Sequence, residues 1–154
     1  MRPDTAALAR TLSAAGLKGI EIDDVPSLGV VIHASAAHAR PVLSALKASD
    51  DGFEFLVDLF GIDTTEAVDV VYHLRSFARD EEVFVKVDLD YGSDLASVWD
   101  LFPAALMPER ECAEMFGLTL SGHPNPKHLL LTEGSKPFLL KQHLIRTPEE
   151  VRNR

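Results

Sequence analysis

Glu109, Arg110 and Glu111 stand side by side in the run P-E-R-E-C-A-E-M-F-G over residues 108–117, with Glu114 three positions on. Two carboxylates so close together invite a general acid–base reading. The spacing argues against it. Residues two apart on a helix point to different sides, and a guanidinium between two acids favours their ionised forms. Glu109 and Glu111 are therefore expected to act as partners for positive groups, not as a proton-transfer pair.

The other candidate ligands are His123, His128 and Cys112. Between the two histidines lie Pro124 and Pro126, so no helix fixes their spacing. A structural zinc site takes four ligands at tighter spacing, and turn or interface histidines are the expectation. Asp58, Asp63 and Asp69 fall near strand ends, where solvated turn acids are the simpler reading. No glycine-rich phosphate loop is present. No catalytic, cofactor-binding or metal-ligating residue is assigned.

The elements that position these groups follow from pattern. Pro108 suits the first position of a helix, and Glu109 and Glu111 sit where the helix dipole favours carboxylates. Cys112, Met115 and Phe116 make one apolar stripe. Arg110 and Glu114 are four apart and can pair. Gly117 is placed to end the helix in a left-handed conformation.

Upstream, Asp4 caps a first helix with Leu8 and Leu12 inside. Ile20 and Ile22 open a strand that turns at 26–29 and returns through Val30 to Ile32. Ser35 caps a second helix whose inner face is Val42, Leu43 and Leu46. Three period-two runs follow: Phe53, Phe55, Val57 and Leu59; Val68, Val70, Tyr72 and Leu74; Val83, Val85, Val87 and Leu89. Their short connections predict an antiparallel meander. A brief helix, capped by Ser93 or Asp94, is expected to carry Leu95, Val98 and Trp99. The fold class is α+β, with helices on one face of a mixed or antiparallel five-stranded sheet.

A domain boundary is expected near residue 120, giving a core over 1–120 and an extended tail over 121–154. The core holds nine Lys/Arg and 21 Asp/Glu, the tail six and three. A basic tail on an acidic body, punctuated by Pro124, Pro126, Pro137 and Pro148, is expected to gain order against a neighbour. The net charge of −9 disfavours nucleic acid or an anionic membrane as main partner. One cysteine cannot hold an iron–sulfur cluster. No run of about 18 apolar residues is present to span a bilayer, so any membrane contact is expected through partner proteins.

The run E-R-E, then an acid, two apolar residues and Gly, with G-H-P at 122–124, resembles the signature of the complex I 30 kDa subunit family. That family comprises the 30 kDa-type subunit of NADH-quinone oxidoreductases and its relatives in energy-converting [NiFe] hydrogenases. F-E-F-L-V-D-L-F-G-I-D (53–63), V-V-Y-H-L-R-S (70–76), V-K-V-D-L (85–89) and S-V-W-D-L-F-P-A-A (97–105) extend the similarity to roughly residues 53–131. Three features depart from the usual pattern. Leu106-Met107-Pro108 stands where aromatics are common, Glu114 stands where Asp is common, and K-P-F-L-L-K-Q-H (136–143) replaces a Pro-Leu-Arg-Lys-Asp-aromatic element. These tilt the likeness toward the hydrogenase-type branch.

The resemblance implies a structural subunit with no cofactor of its own, in the peripheral arm on the cytoplasmic side of the membrane. It would dock on the large subunit that forms the quinone or [NiFe] site, beside the small iron–sulfur subunit; those partners would hold the clusters. The interface residues it implies are Glu109, Arg110, Glu111, Glu114, Met115, Phe116, His123, Pro124, Leu129, Leu130 and Leu131. The alternatives are a stand-alone small-molecule enzyme on the open sheet face and an adaptor domain of another complex. The first would need a pocket with convergent polar groups and a self-packed tail.

Overall fold

Period-two alternation of β-branched residues builds the centre of the sheet, as the sequence predicts. The computed structural model describes residues 2–50 and 52–137. Five strands, β1 (Glu21–Val25), β2 (Gly29–Ser35), β3 (Phe55–Asp63), β4 (Val68–Ser76) and β5 (Glu81–Leu89), lie in the order β1-β2-β5-β4-β3. β2 runs parallel to β5, and every other neighbour in this sheet is antiparallel. The sheet is thus mixed, with the expected β3-β4-β5 meander and a β1-β2 hairpin.

Three helices cover one face: α1 (Thr5–Ala14), α2 (Ala36–Ala48) and α3 (Leu106–Phe116). Asp4 caps α1 by accepting the Ala6 N–H at 3.0 Å. Leu8 and Leu12 of α1, Val42, Leu43 and Leu46 of α2, and Cys112 and Phe116 of α3 join the inward residues of β2, β4 and β5 in one core. Fully burying such a side chain contributes about 1.5–3 kcal/mol, which is why these stripes define the fold. The outer face carries ion pairs between strands, Lys86–Asp69 and Arg75–Glu82.

Two expectations are corrected. Phe53, Phe55, Val57 and Leu59 do not share the inner face. A β-bulge between Leu56 and Asp58 shifts the register, so Leu56 and Leu59 point inward while Phe55 and Val57 are exposed. Phe55 instead meets Phe77, with ring centroids 5.2 Å apart. The second concerns residues 94–99, which form no helix. Asp94–Ala96 is a short strand, β6, paired in parallel with β7 (Thr119–Ser121). Its partner lies beyond α3 in the chain, so a local window favours a helix that a distant ladder overrides. Leu95 and Val98 are nonetheless buried.

Candidate functional site

Helix α3 starts earlier than the sequence predicts. A 3-10 turn over Pro103–Ala105 feeds into Leu106, which places Pro108 third in the helix, not first. The position is tolerated because N–H groups of the first turn have no intrahelical acceptor. Gly117 closes the helix at φ 73°, and its N–H reaches Ala113 O at 2.8 Å. A Cβ there would lie 2.6 Å from Pro137 Cγ, so the close approach of the later chain also requires glycine.

The carboxylate of Glu109 turns inward, and the residue is completely buried. Val98 N–H donates to its Oε1 at 2.7 Å, and Ser97 Oγ–H donates to its Oε2. His123 Nε2 stands 3.8 Å from Oε2. Burial pushes the Glu109 carboxyl above the ordinary range, against the opposing pull of Ser97, Val98 and His123. The expected surface-facing partner for an external cation is therefore not what Glu109 is. It joins α3 to the loop after β6.

His123 is also buried and locks the turn after β7. Its Nδ1 accepts the Asn125 N–H at 3.0 Å, leaving Nε2–H to donate to Leu106 O at 2.9 Å. Two backbone contacts thus fix the orientation of the ring. Trp99 Nε1–H donates to Gly122 O at 3.1 Å, tying the same turn to the loop. Arg40, on α2, holds that loop from the other side through Ser97 O at 2.8 Å and both carboxylate oxygens of Asp100. The guanidinium holds the Asp100 carboxyl down at about 2.

The predicted Arg110–Glu114 pair does not form, because both side chains grip backbone further along. Arg110 donates to Lys127 O and His128 O, each at 2.7 Å. Glu114 accepts the N–H groups of Leu129, Leu130 and Leu131 at 2.8, 2.8 and 3.2 Å. Burial works to raise the Glu114 carboxyl, but the three N–H groups together outweigh it and hold it below the usual range. A cation and an anion one helical turn apart thus clamp carbonyls and amides of a single strap, residues 127–131, onto α3.

The eleven residues singled out from the sequence therefore divide. Glu109, Glu114, Phe116 and His123 are buried; Arg110, Met115, Leu129 and Leu131 are half-buried; Glu111, Pro124 and Leu130 are exposed. Leu130 is 63% exposed despite its apolar side chain. Residues 121–137, expected to trail away, begin as part of the folded unit. The apolar cluster at Phe138 to Ile145 and the K-P-F-L-L-K-Q-H element from its third residue on lie outside the described residues. Ser97 and Arg40 were not anticipated. Both act through backbone and carboxylate contacts across long sequence separations, which leave no periodic trace.

These contacts position chain: they fix the turn after β7 and the strap on α3. Glu109 and Glu114 are engaged by internal donors, and burial pushes the Cys112 thiol up to about 12. The E-R-E run and the G-H-P turn meet on α3, through His123 beside Glu109 and the Leu106 carbonyl. A profile of the family described as "Respiratory-chain NADH dehydrogenase, 30 Kd subunit" matches residues 32–147.

The chain belongs to that family. An NADH-quinone oxidoreductase subunit of Phenylobacterium zucineum (strain HLK1) is 36% identical over 134 residues, covering 83% of this chain and 62% of that relative. The chain thus spans somewhat less than two thirds of that relative's length. A solved structure described as the trypsin-resistant fragment (1-134) of Nqo5 superposes with a TM-score of 0.66 at 30% identity. That match covers 77% of this chain and 98% of the fragment. A chain of the membrane-bound sulfane sulfur reductase, an archaeal respiratory membrane complex, shares the fold at a TM-score of 0.70 and 20% identity, covering 86% of this chain and 78% of that one. Among the described residues no helix is long and apolar enough to cross a membrane.

Proposed function

We propose that this chain is a structural subunit in the peripheral arm of a complex I-type oxidoreductase. It carries no redox cofactor, docks on the large subunit that forms the quinone or [NiFe] site, and lies beside the small iron–sulfur subunit on the cytoplasmic side of the membrane. Of the two branches, NADH-quinone oxidoreductase is supported by the 36% identical relative, and the energy-converting hydrogenase is the related possibility.

The observation that carries this reading is the clamp on residues 127–131. Glu114 fixes three successive backbone amides so that Leu130 is held out from the fold. Holding an apolar side chain in water stabilises nothing within one chain; it pre-pays the ordering of a docking element. Glu109, Arg110, Glu114 and His123 serve the interface by shaping it, whereas Glu111, Pro124 and Leu130 make contact. Nqo5 is described as yielding a trypsin-resistant fragment over its residues 1–134, which supports a resistant folded core.

The test replaces Leu130 with Asp in the tagged full-length chain. Because the side chain is exposed, the isolated protein should melt as the native one does. Recovery of quinone-site or [NiFe]-site subunits with it should fall about tenfold, the loss expected when a charge enters an interface anchor. Unchanged recovery together with unchanged quinone reduction or hydrogen evolution refutes docking through this element.

A further inference from the structure

β3 is an edge strand: it pairs with β4 on one side, and among the described residues no strand pairs with the other. An open edge is a template for another chain unless charge, a bulge or a covering element blunts it, and beyond the bulge at Leu56/Asp58 residues 59–63 of β3 carry such an edge. Here the edge is apolar on its outward face, with Phe60 37% and Ile62 45% exposed. Between Asp58–Gly61 of this strand and Pro108, Glu111, Met115 and Phe116 of α3 runs a groove of about 260 Å³.

Gly61 makes the groove possible. A Cβ on it would lie 2.4 Å from Phe116 Cε2, so strand and helix approach closely there and a side chain would close the groove. Two acids lie along the groove. Asp58 Oδ1 accepts the Leu59 N–H at 2.8 Å, a side chain standing in for a strand partner. Glu111 is exposed and has no hydrogen-bond or ion-pair partner among the described residues. It is the one carboxylate of the E-R-E run that the clamp does not use.

Resting on the subunit reading above, we propose that this groove receives an extended segment of a neighbouring subunit, bonded main chain to main chain along β3 and presenting a Lys or Arg to Glu111. Addition of a strand supplies affinity through the backbone and specificity through side-chain pockets. An apolar residue of the incoming segment covers Met115 and Phe116. The charge pattern favours the occupant: the acidic body of a second copy, with 21 Asp/Glu against nine Lys/Arg over residues 1–120, is repelled, whereas a basic segment is drawn in to Glu111. Residues 127–131 of the chain itself lie along the other side of α3, where Arg110 and Glu114 hold them.

The experiment uses the full-length chain, carrying a photo-crosslinking phenylalanine analogue at position 60, isolated by its tag within the assembled complex. The crosslinked peptide is sequenced, and amide exchange over residues 57–63 is compared between the complex and the isolated chain. A crosslink to an extended, Lys- or Arg-bearing segment of another subunit is expected, with exchange slowed at least about tenfold on assembly. Glu111→Lys should lower recovery of the complex about tenfold with no change in the melting of the isolated chain. A crosslink into residues 138–154 or into a second copy overturns the proposal, as does exchange over 57–63 that assembly does not slow. Recovery unaffected by Glu111→Lys overturns the charge selection. If the tagged chain brings down its complex while the groove tests fail, the subunit reading stands alone. If it brings down no oxidoreductase subunit, both readings fall.

Discussion

Removing the carboxylate of Glu114 should release the strap while leaving the sheet intact. The strap is held by five charge-assisted bonds, three to Glu114 and two from Arg110. Hydrogen bonds to charged groups contribute about 1.5–3 kcal/mol each, so the five supply roughly 7–15 kcal/mol. Fixing the backbone of residues 127–131 costs about 1–2 kcal/mol per residue, or roughly 5–10 kcal/mol. The balance favours the closed strap by only a few kcal/mol. Glu114→Ala removes three of the five bonds and leaves about 3–6 kcal/mol against the same cost, which tips the strap open.

Two assays read this directly. Trypsin should cut after Lys127 far faster, by about 30-fold to 1,000-fold, a ceiling set by the few kcal/mol (about 2–4) that hold the native strap closed, since each 1.4 kcal/mol is tenfold. Amide exchange at Leu129, Leu130 and Leu131 should rise by a similar factor while Val70, Tyr72 and Val85 in the central strands stay protected. Acid should mimic the mutation. The Glu114 carboxyl is held below the usual range, so its contribution is present above the ordinary Glu pKa and is lost as pH falls through the depressed one. Cleavage and exchange in Glu114→Ala within twofold of the native chain would refute the clamp.

Glu109 should show the opposite pH signature. Its carboxyl is raised in the folded chain, so stability from this group is full below the unfolded pKa and lost as pH rises through the folded one. Glu109→Gln should flatten that slope in denaturant titrations at pH 5 and pH 8 and cost little at pH 8, whereas Glu109→Ala orphans the Val98 N–H and should cost about 1–3 kcal/mol. At the β3–α3 contact, Gly61→Ala places a methyl 2.4 Å from the Phe116 ring and should destabilise the chain by about 1–3 kcal/mol in the same titration.

Local pattern made much of this molecule legible. The alternation at Val68, Val70, Tyr72 and Leu74 and at Val83, Val85, Val87 and Leu89 fixed strands and inner face together, because a period of two admits one assignment. Gly117 marked the end of α3 because a left-handed residue there carries no Cβ penalty. The α3 stripe was legible too: Cys112 and Phe116 are buried and Met115 half-buried. That Glu109 and Glu111 point apart also followed from two residues of helical rotation.

Which of those two acids faces inward did not follow. That was settled by Ser97 and Val98 after β6 and by His123 after β7, groups 11 to 14 residues away that meet α3 only once the parallel β6–β7 pair has formed. The Arg110–Glu114 pairing, natural in an isolated helix, yielded to backbone donors and acceptors 15 to 18 residues downstream. The bulge in β3 was equally invisible, since one inserted residue breaks the alternation that a sequence window counts. The sequence by itself thus determined the periodic elements, the helix stop and the motif that marks the family. Tertiary structure alone decided the inward turn of the acids and the fixing of the strap, because a buried carboxylate bonds whatever donors the folded chain brings to it, however distant in sequence.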